Sequence, residues 1–102
     1  MFIYHIVLPE VWERFKGRPS YQAVSLQTEG FIHCSYENQL EAVIERYYSN
    51  TARLLVLKID TAKLRSKLVE EHSTGGVAYP HLYGRINMDA VVSIEDRRLQ
   101  TA

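Results

Sequence analysis

The chain has 102 residues, 46% of them hydrophobic, and its 12 Lys and Arg are balanced by 12 Asp and Glu, so it carries no net charge. That length suits one domain covering 1–102, and the charge balance argues against a general binder of nucleic acid or membrane surface, which needs a basic field. Cys34 is the single cysteine and can form no internal disulfide. The start "MFIYHIVLPEVW" lacks signal-peptide features, and no window approaches the ~18 apolar residues of a spanning helix, so a cytoplasmic domain is expected.

"FIYHIV" (2–7) is short, β-branched and aromatic, and predicts a buried strand stopped by Leu8-Pro9. Pro9 and Glu10 suit the first turn of a helix, where proline forfeits no hydrogen bond and a carboxylate meets the dipole. Val11, Trp12 and Phe15 supply its apolar stripe, and Gly17-Arg18-Pro19 ends it. Residues 20 to 29 read as loop or extended chain. "FIHCS" (31–35) predicts a second strand, with Ser35 capping a helix whose Leu40, Val43, Ile44 and Tyr47 recur at helical spacing.

"RLLVLKID" (53–60) is apolar enough for a central strand. One helical turn over 61–65, a strand over 67–71, a mobile "HSTGG" connection (72–76), an extended "YPHLYGRI" (79–86) and an alternating last strand over 89–96 complete the chain. Strands outnumber helices without a βαβ rhythm. The fold class expected is α+β, with mixed or antiparallel sheets, two main helices and a cleft.

Three of the four histidines stand in apolar extended segments: His5 in "IYHIV", His33 in "GFIHCS" and His81 in "YPHLYG". A lone half-buried histidine is ordinarily just hydrogen-bonded, but burying three imidazoles in one small domain sacrifices solvation each time. That pattern points to a shared cleft. Alternation puts His33 with Phe31 and Ser35, and Cys34 on the other face with Ile32, so Cys34 reads as a small core residue. Trp12, Phe15 and Tyr47 read as packing residues. Tyr83 stands beside Gly84, which is expected to leave room for a ligand. Of Glu70 and Glu71, one must point inward if their strand is regular.

The set "IYHI" (3–6), "SLQTEGFIHCS" (25–35), Gln39, "LLVLKID" (54–60) and "PHLYG" (80–84), in that order, resembles the bacterial and plant family catalogued as domain of unknown function 952. The resemblance runs from near residue 3 to near residue 94. It implies an ADP-ribosyltransferase-like fold, in which NAD lies in a cleft between two small sheets. By that likeness His5 matches a first-strand histidine that contacts ribose, and His33 falls where a second motif residue would be. Glu70 is the acidic candidate, and His81 and Tyr83 would line the cleft.

Three readings follow. The first is an NAD- or nucleotide-handling transferase or glycohydrolase. Its catalytic residues would be His5, His33 and Glu70, with Glu70 stabilising positive charge on the ribose. His81, Tyr83, Ser35 and Arg85 would bind substrate. The second is a non-catalytic module for a small nucleotide or anionic metabolite, with Arg14, Arg46 or Arg85 meeting the anion. The third is a metal site formed by His5, His33 and His81, though no local metal-ligand spacing supports it. No cofactor is required by any motif; NAD enters as a possible substrate.

Overall fold

The computed structural model describes residues 1–72 and 75–99. In chain order it runs β1 (Phe2–Val7), α1 (Pro9–Glu13), β2 (Ser20–Tyr21), α2 (Val24–Thr28), β3 (Ile32–His33), α3 (Leu40–Tyr47), β4 (Arg53–Asp60), β5 (Lys67–His72), β6 (Ala78–Tyr83), β7 (Ile86–Asn87) and β8 (Val91–Arg98). Short 3-10 turns follow β4 and precede α3 and β8. The class is α+β, and every strand pairing is antiparallel.

β4 is central because it is apolar on both faces. It pairs with β1 on one side and β8 on the other. Leu55, Leu57 and Ile59 face one way, joining Ile3 and Val7 of β1 with Ile32, Leu82 and Ile86 in the larger core. Leu54 and Val56 face the other way, against Ile6 and the buried Leu40 and Ile44 of α3. Each fully buried Leu or Ile contributes about 1.5–3 kcal/mol, so β4 anchors both layers.

A second three-stranded sheet has the order β3-β6-β5. Its edge meets the edge of the first through one bridge: the Tyr4 amide donates to the Ser35 carbonyl and the Ser35 amide to the Tyr4 carbonyl, both at 2.8 Å. β2 and β7 pair in a separate two-residue ladder. The two larger sheets thus lie as leaves joined near residues 4 and 35.

Several expectations change. The stretch 20–29 holds β2 and α2, each too short to leave a periodic signal. Among the described residues the α-helices number three, and only α3 exceeds five residues. Ser35 does not cap α3; its backbone is committed to Tyr4, and Tyr36 precedes the 3-10 turn, its amide donating to the Gln39 side chain at 3.0 Å. Gln39 also donates to the Ala78 carbonyl at 2.6 Å, tying the start of the helical segment to β6. Tyr47 is 67% exposed where α3 ends, and it is Tyr48 that packs on the smaller core.

Gly84 leaves no room for a ligand. A Cβ there would stand 2.6 Å from the Cβ of Ser66, so the glycine lets two chain segments touch. Gly30, at φ 90°, turns the chain sharply out of α2 into β3, its amide donating to Ser25. In the 72–76 connection, His72 ends β5, and residues 73 and 74 lie outside the described residues.

Candidate functional site

Beside the seam of the two leaves opens a cleft of about 890 Å³, lined by His5, Ser35, His33 and His81, by Tyr21, Tyr79, Tyr47 and Tyr48, and by Arg46. The three strand histidines share it. Glu70, Tyr83, Arg14 and Arg85 do not line it, and no Asp or Glu among the described residues does.

His5 sits at the floor because β1 alternates, which turns it inward with Ile3 and Val7. It is 6% exposed. Nδ1 lies 2.7 Å from the His33 carbonyl and Nε2 lies 2.9 Å from the Tyr21 hydroxyl. A carbonyl only accepts, so Nδ1 bears the hydrogen and Nε2 accepts the Tyr21 proton. Burial disfavours the imidazolium and lowers the His5 pKa to about 4. His5 is therefore neutral, with both nitrogens occupied. It has no lone pair for a metal and no donor for a ribose.

Tyr21 is the group that touches His5, and sequence reasoning passed over it. Its ring is wedged among His5, Trp12 and Phe15, with centroids 5.3, 5.4 and 5.0 Å away. Burial raises its pKa, so it serves as a hydroxyl and not as a phenolate. Cys34, buried against the larger core, is likewise pushed up by burial and holds its thiol proton.

The wall is different. His33 and His81 are register partners on β3 and β6, so both rings project from the same face. They stand edge to face, 5.4 Å between centroids. Phe31, two residues before His33, stacks on His81 at 4.1 Å and 17°. The Nδ1–H of His81 donates to Glu71 Oε1 at 2.8 Å, and the Tyr83 hydroxyl donates to the same oxygen at 2.5 Å. Those two hydrogen bonds, the tyrosine's first, hold the Glu71 pKa below the usual carboxylate range. His33 Nε2 lies 3.1 Å from Glu29.

Glu70 falls on the opposite face of β5, in register with Pro80, where its Oε1 accepts from the Tyr36 hydroxyl at 3.0 Å. Of the two β5 acids it is Glu71 that meets His81, from two residues beyond Val69, the register partner of that histidine. Arg85 is held by Ser20 and Gln22, at 2.7 and 2.8 Å. Tyr83 lines a separate hollow of about 310 Å³ with Lys67, Val69 and Glu71. Among the described residues no group of three or more His, Cys, Asp or Glu is placed to hold a metal, and no helix is long and apolar enough to cross a membrane.

This is a small α+β protein with two antiparallel sheets and a histidine- and tyrosine-lined cleft. The family described as Protein of unknown function (DUF952) matches residues 6–94, and the chain belongs to it. Its fold is similar to that of protein CC0527 from Caulobacter crescentus. A crystal structure of that protein is 29% identical, covers 98% of this chain and 89% of its own, and has a TM-score of 0.86. Its solution NMR structure is 30% identical over 97% and 86%, with a TM-score of 0.81. No curated protein matches the chain.

Proposed function

We propose that the cleft binds a small anionic, nucleotide-like molecule. The observation that carries this reading is the one-sided chemistry of the lining: Arg46, His33, His81 and several hydroxyls, with no carboxylate among the described residues. A phosphate or pyrophosphate entering such a site meets the Arg46 guanidinium and the tyrosine and serine hydroxyls as donors, and His33 and His81 once they are doubly protonated. Glu29 and Glu71 stand behind those rings and outside the lining. Arg46 has no carboxylate partner among the described residues, and its guanidinium lies 5.5 Å from the Tyr47 ring, an arrangement in which a flat base can stack.

The same lining weakens ribosyl transfer from NAD through a cleft glutamate. Stabilising an oxocarbenium-like ribose needs negative charge nearby, and Glu70 is bonded to Tyr36 elsewhere. Binding is thus the better-supported function. The ADP-ribosyltransferase-like grouping belongs to this proposal, supported by the two small antiparallel sheets that meet beside the cleft. So does a cytoplasmic setting, consistent with a buried, unpaired Cys34.

The test is a thermal-shift and calorimetric series with NAD, ADP-ribose, mononucleotides and inorganic phosphate. A ligand at ~100 times its Kd adds about 2.7 kcal/mol, a shift of many degrees for a domain of this size. Binding that weakens tenfold or more in Arg46→Ala supports the reading. No binding at millimolar concentration by any of these compounds would sink it.

A further inference from the structure

The two histidines on the cleft wall are built differently from the one on its floor, and that difference has chemical content. In the neutral ring, His81 spends its Nδ1–H on Glu71 and keeps the Nε2 lone pair. Nε2 has no hydrogen-bond partner among the described residues, and the side chain, 13% exposed, lines the cleft. Its ring cannot swing freely, because Phe31 stacks on one face and Glu71 holds one edge. Glu71 is itself fixed by Tyr83. A carboxylate behind an imidazole sets its tautomer and stabilises the cation formed when the far nitrogen takes a proton.

His33, directly opposite on the neighbouring strand, repeats the plan with the nitrogens exchanged. Nε2 faces Glu29, and Nδ1 is left open. Two imidazoles 5.4 Å apart in one cleft, each backed by a carboxylate, supply a base and, when doubly protonated, an acid.

We propose that His81 and His33 are the proton-transfer pair of a phosphoester-cleaving site, with Glu71 as the positioning residue behind His81. The proposal rests on the reading that the cleft takes a phosphate-bearing ligand, and adds turnover to it. Water is the co-reactant. Nε2 of His81 takes a proton from water as the water oxygen forms its bond to phosphorus. The bond from phosphorus to the leaving oxygen breaks, with its electron pair going to that oxygen. His33, entering protonated, gives its Nδ1 proton to the leaving oxygen. The cycle ends with His81 protonated and His33 neutral, and exchange with solvent restores both.

Two probes separate the roles: bis(p-nitrophenyl) phosphate, whose leaving group departs without a proton, and 2′,3′-cyclic AMP, whose alkoxide needs one. The full chain should turn over both. His81→Gln should lower kcat at least about 100-fold on both, the usual scale of general base catalysis. His33→Gln should do so only on the cyclic nucleotide. Glu71→Gln should lower kcat about 10-fold or more with KM unchanged, and Glu71→Asp should recover part of it; a merely structural Glu71 would move stability and leave that split absent. Thermal melts of every variant separate loss of activity from loss of fold. Nucleotide binding without hydrolysis of either probe overturns this inference and leaves the binding reading standing. Absence of both binding and hydrolysis overturns the two together. Wild-type activity in His81→Gln overturns the assignment of the base.

Discussion

His5 and His81 line the same cleft and both donate from Nδ1, yet they are opposite kinds of residue. At the floor, His5 has a partner on each nitrogen, lies sealed from water and stays neutral. At the wall, the His81 side chain is 13% exposed, braced by Glu71 and Phe31, and keeps one nitrogen open. Counting partners per imidazole separates a histidine that holds the fold from one that is free to do chemistry. Burial alone does not make that distinction.

That contrast can be broken most forcefully at the floor. His5→Ala leaves the Tyr21 hydroxyl and the His33 carbonyl without their partner and opens a cavity, so unfolding in urea should show a loss on the order of 3 kcal/mol. Nearly as large is the response to acid. The unfolded imidazole titrates near its ordinary value of 6.5, whereas folded His5 titrates at about 4. Between those values the unfolded chain binds more protons, so stability is fully present above pH 6.5 and falls as the pH drops toward 4. The drop should total about 3 kcal/mol and vanish in His5→Gln; an unchanged pH dependence in that variant would assign it to other groups.

A gentler cut is Tyr21→Phe, which strips the donor from His5 Nε2 and keeps the packing. A loss of about 1–3 kcal/mol is expected by chemical denaturation, with His5 becoming easier to protonate by NMR titration. Cys34→Ser places a hydroxyl in an apolar core and should lose about 1–2 kcal/mol, read from the same melts. The smallest effect belongs to the wall. The His33 side chain is 56% exposed, so His33→Ala should change stability by no more than ~0.5 kcal/mol. A loss as large as that of His5→Ala would erase the distinction between floor and wall.

Much of this was legible in the chain. β1 and β4 announce themselves by apolar runs, and their length and β-branching settle the choice of strand. The alternation in "FIHCS" correctly sends Ile32 and Cys34 inward and His33 outward. Glu71 was harder to find because side chains in a strand have period two. Deciding between it and Glu70 requires the register of β5 on β6, which no local pattern carries. Tyr21 was illegible for another reason. It lies on a two-residue strand whose partner, β7, is some 65 positions away, so only the folded chain brings it to His5. Gly84 was misread because an absent Cβ looks the same in sequence whether ligand or protein fills the space.

The bridge between Tyr4 and Ser35 bears on how the cleft would respond to being filled. One pair of amide hydrogen bonds fastens the edges of the two leaves, and the cleft lies across that seam. A molecule touching both the floor and the wall acts as a second fastening beside the first. Excursions that part the edges become rarer while it is bound, and amide exchange at Tyr4 and Ser35 slows in proportion. The seam is then a built-in reporter, two backbone protons whose exchange rate records whether the leaves are held from inside.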